Sequence, residues 1–282
     1  MSTRDRAGGW KHAKLTGHKN EAAIEELIRN DIEYQKAFLR KIGKPEEEIA
    51  YISVGGLHET NVDSVFPNEK TKSKTDMQIV LKDGNRYNIS IKKSLGGQVY
   101  LISDSRFIKG FELQYGKEIP QKVKRAIELF WGSAPDVKEI IEKHGQKRDY
   151  ETRKHRLVAE TLLRYNEELY FELLNWFAQN TNEITDFCFS KGLAKNAEDW
   201  ANIIWYKNEL GENSVNEIFI ISEMCTALQE ASVEMTEYGT RGGGTTIQLP
   251  FGFVQWHSPS KNIPGYMQFH HSYEKIKEAI KK

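Results

Sequence analysis

Three polar side chains in the first third of the chain have the types and spacing for metal-assisted chemistry on a phosphodiester. Asp76 begins one run of alternating apolar and polar residues, and Ser90 and Lys92 lie two residues apart in the next run. A carboxylate can hold Mg²⁺, which polarises a phosphate and acidifies a water, while an ammonium group positions that water or balances developing charge. The chemistry requires these groups to meet, so the fold of the two runs decides the hypothesis.

The two runs flank an Asp-Gly turn signal and are predicted to form a β-hairpin. We expect a three-residue loop, Asp83-Gly84-Asn85, because it places all the large apolar side chains on one face. The predicted cross-strand pairs are Met77 with Ile91, Ile79 with Ile89 and Leu81 with Tyr87 on the apolar face, and Asp76 with Lys92 on the polar face.

An Asp on one strand and a polar residue, an apolar residue and Lys on the next resemble the active site of the metal-dependent PD-(D/E)xK nucleases. The resemblance implies an α/β core with a central mixed sheet, Asp76 as a metal ligand and Lys92 beside the attacking water. It also implies that the Ile91 carbonyl is a metal ligand. Ser90 departs from the commonest pattern, which has Asp or Glu there, so we expect weaker metal binding or a second carboxylate from elsewhere.

Other short blocks, in the same order along the chain, are similar to the type II restriction endonucleases of the MspI and HinP-type group. Residues 72–76 with 89–94 resemble their active-site blocks, in which Asn or Gln replaces the middle acid. Residues 17–24 are similar to the opening helix of the HinP-type enzymes. Residues 250–252 and 267–270 resemble their C-terminal block, although that family has Lys in place of His270, and the middle of the chain aligns only loosely.

This resemblance implies further site residues, each with a simpler alternative. Glu21 would be a second carboxylate at the metal and a catalytic residue with Asp76, Ser90 and Lys92; alternatively, it complements the dipole of its helix.

DNA contacts are implied for five residues. Gln268 and His270, two apart on a predicted strand, point the same way, as base-edge readers must, or else face water on an edge strand. Ser94 and Gln98 follow Lys92 and would read bases or wedge into the stack, or else form a polar turn. Arg241, beside three glycines, would reach a phosphate, or else lie in a mobile hairpin loop.

The composition bounds the class of protein. The 282 residues carry 40 basic and 40 acidic side chains. This balance is a point against a nucleic-acid partner, although a local basic groove could still bind nucleic acid. No run of about 20 apolar residues and no apolar signal core occur, so we expect a soluble, cytoplasmic protein without membrane contact. Cys188 and Cys225 are expected to be reduced core residues, and the histidines lack zinc-site spacing.

Periodicity along the chain predicts an α/β protein that forms one nuclease domain over residues 1–282. A helical segment at about 118–210 would be inserted between the hairpin and the C-terminal strands. The predicted elements are a helix at 20–43, a short strand at 51–54, a long loop at 61–73, an extended piece or helix from 98, helices at 118–182, a buried strand at 218–221, a hairpin at 245–256 and a strand at 266–270.

The expected function is Mg²⁺-dependent cleavage of double-stranded DNA at a short, G·C-containing site, as a type II restriction enzyme of a restriction-modification system. Three alternatives remain open: a non-cleaving DNA-binding module of the same fold, a repair-type nuclease, and a scaffold in which the hairpin is ordinary sheet. The sequence leaves open whether the protein is a monomer or a homodimer.

Overall fold

The computed structural model describes residues 6–54, 61–146, 156–211, 214–229, 233–236, 244–257 and 265–281. The strands are β1 (Ile49–Val54), β2 (Asn61–Asp63), β3 (Lys70–Lys72), β4 (Met77–Leu81), β5 (Arg86–Lys92), β6 (Gly96–Ser103), β7 (Ile203–Lys207), β8 (Asn216–Ile220), β9 (Glu234–Met235), β10 (Thr246–Leu249), β11 (Gly252–His257) and β12 (Tyr266–Ser272). The α-helices are α1 (Arg6–Asn30), α2 (Ile32–Lys41), α3 (Asp104–Tyr115), α4 (Gln121–Trp131), α5 (Val137–His144), α6 (Ala159–Tyr165), α7 (Glu167–Gln179), α8 (Thr181–Asp186), α9 (Ile221–Ala227) and α10 (Tyr273–Ile280).

The chain divides into two compact units. Unit 1 comprises residues 1–95 and 189–222, and unit 2 comprises residues 96–188 and 223–282. The assignment of residues 1–282 to one nuclease domain stays a prediction.

Unit 1 is built on a five-stranded sheet in the order β1-β4-β5-β7-β8. The β5–β7 pair is parallel and the other pairs are antiparallel, so the sheet is mixed. Apolar side chains of α1 and α2 pack against the apolar residues of these strands, including Ile79, Ile89 and Trp205. The predicted α/β class, with a central mixed sheet flanked by helices, is confirmed.

The predicted helix at 20–43 is two helices, because Asp31 begins a new one. Its side chain accepts hydrogen bonds from the backbone N–H groups of Glu33 and Tyr34, which is the role of a helix N-cap. The second helix, α2, ends at Lys41, close to the predicted end at residue 43, where Gly43 has φ of +71°.

The predicted hairpin forms, but its strands are offset by two residues from the predicted register. Met77 pairs with Ile89 and Ile79 with Tyr87, so the predicted pairs of Met77 with Ile91, Ile79 with Ile89 and Leu81 with Tyr87 are wrong. The apolar face is retained, because a shift of two residues keeps every side chain on its side.

The turn explains the offset. Gly84 donates its N–H to the Leu81 carbonyl and has φ of +87°. A three-residue hairpin loop places its left-handed residue last, so the loop is residues 82–84 and not the predicted 83–85. Asp76, just before β4, donates its backbone N–H to the Ile89 carbonyl, so it is not the cross-strand partner of Lys92.

Two other predictions for unit 1 need correction. Part of the predicted long loop at 61–73 is a two-stranded ladder between β2 and β3. The predicted buried strand at 218–221 is the edge strand β8, in which only Phe219 is buried, whereas the buried strand is β7 in the middle of the sheet. The apolar run of β7 was compatible with a helix or a strand, and periodicity alone does not separate the two.

Unit 2 contains a second, antiparallel sheet in the order β6-β12-β11-β10-β9. The predicted extended piece from residue 98, the hairpin at 245–256 and the strand at 266–270 are therefore confirmed. Met267 and Phe269 of β12 are fully buried, and the Phe269 ring meets Phe107 of α3 at 5.6 Å between ring centroids. The sheet thus has one face against helices, and its opposite, mostly polar face also carries Phe253 and Leu101.

Cys188 and Cys225 are free and buried, as predicted. None of the helices in the described ranges is long and apolar enough to cross a membrane.

Candidate functional site

Ser90 joins the two charged residues of the hairpin in unit 1. Lys92 Nζ donates a hydrogen bond to Ser90 Oγ at 2.7 Å, and Ser90 Oγ donates to Asp76 Oδ2 at 3.2 Å. Ser90 is 3% exposed, so this hydroxyl is held within the protein. Asp76 and Lys92 therefore emerge on the same side of the hairpin and share one hydroxyl, although they are not the cross-strand pair predicted.

The backbone of Ile91 also contacts Asp76. Its N–H donates to Asp76 Oδ2 at 2.7 Å, and Asp76 N–H donates to the Ile89 carbonyl at 2.8 Å. The N–H and C=O of one residue in an antiparallel ladder point to the same neighbouring strand. The Ile91 carbonyl thus faces the edge on which Asp76 lies, and its role as a metal ligand stays a prediction.

Glu21 belongs to the same electrostatic environment. Burial raises the pKa of this carboxyl above its ordinary value, and the negative charge of Asp76 raises it further. A hydrogen bond from His18 and the positive charges of His18 and Lys92 act in the opposite direction. Glu21 thus lies within electrostatic range of Asp76 and Lys92.

Two contacts of α1 fix the helix that carries Glu21. Asn20 is fully buried; its Nδ2 donates to the Lys207 carbonyl at 2.9 Å and its Oδ1 accepts from Glu209 N–H at 2.7 Å. These bonds attach α1 to the end of β7, whose neighbour in the sheet is β5. Arg29 donates to the Ile52 carbonyl at 2.7 Å and so attaches α1 to β1 as well.

Sequence reasoning missed Asn20 and His18. His18 Nδ1 lies 3.2 Å from Glu21 Oε2. The spacing of three residues on a helix could have indicated this pair, since such residues are neighbours on the helix surface. The role of Asn20 depends on strand β7, far away in sequence, and had no local signal.

The residues present are compatible with Mg²⁺. Within the described ranges no group of three or more His, Cys, Asp or Glu side chains forms a metal site. Mg²⁺ keeps several waters and takes only one or two carboxylates, however, so Glu21 and Asp76 meet its needs. The negative charge of Asp76 raises the pKa of Glu21, and a divalent cation beside both acids would offset this repulsion.

In unit 2, three of the predicted DNA-contacting residues form one hydrogen-bonded row on the polar face of the sheet. Gln268 Nε2 donates to Gln98 Oε1 at 2.7 Å, and Gln255 Nε2 donates to Gln268 Oε1 at 2.9 Å. Gln255 Nε2 also lies 3.3 Å from His270 Nε2. We call Gln98, Gln255, Gln268 and His270 the glutamine row; Gln255 was not predicted.

The glutamine row carries no charge at neutral pH. Burial, with a smaller effect of His257, lowers the pKa of His270 to about 4 from an ordinary 6.5, so the ring is neutral. Its ring stacks on Phe253 at 4.5 Å between centroids, with 11° between planes. The row therefore presents amide and imidazole hydrogen-bonding groups beside an aromatic ring.

The remaining predicted contacts lie elsewhere. Ser94 is exposed on the bend between β5 and β6, within unit 1. Arg241 lies outside the described residues.

No protein-family model matches the chain, and no curated protein matches its sequence. Among solved structures, the chain is similar to the restriction endonuclease MspI in complex with its cognate DNA. That similarity has a TM-score of 0.43 and 14% sequence identity, and it covers 88% of this chain and 83% of that chain.

Proposed function

We propose that the protein is a Mg²⁺-dependent endonuclease that hydrolyses double-stranded DNA at a short, G·C-containing site, as a type II restriction enzyme does. The observation that carries the proposal is the hydrogen-bonded series Asp76–Ser90–Lys92, with Glu21 in the same electrostatic environment. An ordinary sheet hairpin has no need to bury a hydroxyl between an acid and a lysine, or to place a second acid beside them.

Each side chain has a separate role in this proposal. Asp76 and Glu21 hold Mg²⁺, with the Ile91 carbonyl as a further oxygen ligand. The bound ion supplies polarisation of the phosphate and acidification of a water. Lys92 has three N–H donors, of which one is directed at Ser90, and the others are available for the attacking water or a phosphate oxygen. Ser90 keeps the ammonium and the Asp76 carboxylate in fixed relation.

Recognition of DNA is assigned to unit 2 and to the segment after β5. Gln98, Gln268 and His270 would contact base edges, since amide and imidazole groups donate and accept hydrogen bonds in the major groove. Ser94 would contact the DNA near the cut, and Arg241 would contact a phosphate.

Cleavage of plasmid DNA, in Mg²⁺ and in EDTA, tests the proposal. We expect discrete fragments from the native protein in Mg²⁺, none in EDTA, and a loss of about 100-fold or more in rate for Lys92→Met. Lys82→Met is the matched control, because Lys82 lies in the same hairpin, is exposed and pairs with Glu48 at the surface. Native protein that leaves all DNA intact, or a Lys92→Met variant that cuts like Lys82→Met, would refute the proposal.

Ser90 favours one competing function, a DNA-binding module that does not cut. A hydroxyl in place of the usual acid gives the site one negative charge fewer, which weakens its hold on a cation. Such a module would shift a DNA fragment in a gel without Mg²⁺ and would leave it intact with Mg²⁺. A repair-type nuclease would differ from both by cutting random-sequence DNA without producing discrete fragments.

A further inference from the structure

His18 and Glu21 form a pair on the face of α1 that belongs to the candidate active site. His18 Nδ1 lies 3.2 Å from Glu21 Oε2, with the two side chains 21% and 13% exposed. Within the described ranges, this is the one hydrogen bond of the Glu21 carboxylate. The pair is therefore sheltered, and nothing else in that part of the chain fixes the orientation of the acid by a hydrogen bond.

We propose that His18 is a positioning residue that orients Glu21 as a ligand of the catalytic cation. The proposal rests on the proposed function, because it assigns His18 to the same metal site. An ionised carboxylate only accepts hydrogen bonds, so His18 donates from Nδ1. This bond fixes the orientation of the carboxylate and leaves its remaining acceptor sites for a cation.

Asn20 and His18 have different effects on α1, and this difference supports the role of His18. The side chain of Asn20 forms hydrogen bonds with the backbone at the end of β7, so it fixes the position of the helix. A glutamate side chain still has three rotatable bonds beyond its Cα, which the Asn20 contacts leave untouched. The His18 bond restricts those rotations, as donors to metal-binding carboxylates do in metal sites generally.

Variants at position 18 separate orientation of Glu21 from general support of the helix. His18→Leu removes the donor and keeps an apolar body of similar bulk. His18→Asn restores an N–H close to the place of Nδ1. Glu26→Ala is the matched control, because Glu26 is exposed on the same helix.

The probe is Mn²⁺, which accepts the same oxygen ligands as Mg²⁺ and is followed by its EPR signal, with Mg²⁺ as competitor. We expect about tenfold weaker Mn²⁺ binding in His18→Leu, near-native binding in His18→Asn, and native binding in Glu26→Ala. Thermal unfolding in EDTA should be alike in native protein, His18→Asn and Glu26→Ala, and His18→Leu should unfold only as much earlier as the loss of one hydrogen bond requires. Mg²⁺-dependent cleavage should need correspondingly more Mg²⁺ in His18→Leu alone.

Native affinity in His18→Leu, or equal weakening in the Leu and Asn variants, would overturn the role of His18. Native protein that binds no Mn²⁺ or Mg²⁺ would also overturn it. Native protein that binds Mn²⁺ and weakens in His18→Leu, yet cuts no DNA, would support the role of His18 and refute the proposed function.

Discussion

At the scale of single residues, Ser90 provides one hydroxyl that Asp76 and Lys92 share. The usual acid would add a third negative charge next to Asp76 and Glu21, whereas the hydroxyl donates to one charged group and accepts from the other. Ser90 thus contributes hydrogen bonds and no charge, and in the proposed metal site the second carboxylate would be Glu21.

The first prediction concerns that hydroxyl. Ser90→Ala leaves Asp76 and Lys92 without their common partner, so we expect a fall of about 10- to 100-fold in kcat. The lost hydrogen bonds should lower the unfolding free energy by about 1 kcal/mol. Ser90→Asn, whose amide both donates and accepts, should retain more activity than Ser90→Ala. Single-turnover cleavage and urea unfolding are the measurements, and equal activity of the native and Ala proteins would contradict the prediction.

The second prediction is that Glu21 lowers the stability of the protein without metal and increases its stabilisation by Mg²⁺. Its carboxylate is shielded from water and lies near the negative charge of Asp76, which disfavours its ionised form. Glu21→Gln removes this repulsion and keeps an oxygen that accepts from His18. We expect the variant to be more stable than native protein in EDTA by about 1 kcal/mol, and to gain less stability when Mg²⁺ is added.

Thermal unfolding with and without Mg²⁺ measures both effects for Glu21→Gln. Glu26→Gln, an exposed acid on the same helix, should behave like native protein in both conditions. A Glu21→Gln protein that is less stable than native in EDTA would show that the Asp76–Glu21 repulsion is not the dominant effect.

At the scale of elements, alternation predicted which residues are strands and which faces they present, but turn geometry decided their register. The apolar face of the hairpin followed from the sequence, because a strand has a period of two. The predicted loop began one residue too late in the sequence, which shifted the strand pairing by two residues, so Asp76 is not opposite Lys92 as predicted. Asp76 and Lys92 still lie on the same face of the hairpin, because Ser90 and Lys92 are two residues apart and their side chains point the same way.

The break between α1 and α2 and the central place of β7 were not predictable from the local pattern. Within a helical pattern, the sequence alone does not distinguish Asp31 from an exposed helix residue. Its role as an N-cap is shown by the hydrogen bonds that it accepts in the structure. Strand β7 pairs in parallel with β5 across more than 100 residues of chain, a contact that no local signal specifies. The same holds for Asn20, whose partners lie at the end of β7.

The third prediction concerns the glutamine row, in which Gln255 donates to Gln268 from a neighbouring strand. A carboxylate at position 255 cannot donate, so Gln255→Glu should force Gln268 to turn its amide and present N–H toward the new acid. If the row reads bases, discrimination at one base pair should fall by about 1–3 kcal/mol.

Selection of bound duplexes from a random pool, without metal, measures the preference of the glutamine row independently of cleavage. Gln179→Glu is the matched control, since Gln179 is exposed on α7 in the same unit. An unchanged binding preference in Gln255→Glu would mean that the row is not a reading surface.

At the scale of the whole molecule, charge is balanced and the predicted reading surface is neutral. Forty basic and forty acidic residues give a formal net charge of zero, so no overall field draws the protein to DNA. If neutral His270 and the amides of the glutamine row contact bases, they would do so through hydrogen bonds, which depend little on salt. If the proposed function holds, specific binding should owe more to base contacts than is usual for basic DNA-binding proteins.

The last prediction is a cancellation in the pH dependence of stability. Burial lowers the pKa of His270 to about 4, and because its ordinary value is 6.5, its contribution to stability is lost as pH falls from about 6.5 to about 4. Burial raises the pKa of Asp104 to about 6, against an ordinary 3.8. Its contribution is present below pH 3.8 and is lost as pH rises through about 6.

The two slopes oppose each other within the same pH window, so each is visible only after the other group is removed. Asp104→Asn should make stability rise between pH 4 and 6.5 relative to native protein, and His270→Gln should make it fall, each by about 2 kcal/mol after allowance for solvent screening. The Asn side chain can keep the bonds that Asp104 makes with Ser105 N–H and the Ser133 hydroxyl. Urea unfolding across this range measures the differences from native protein, in which the other titrating groups cancel. Parallel curves for the two variants would mean that neither buried group resists ionisation, because a shifted pKa must change the number of protons bound on unfolding.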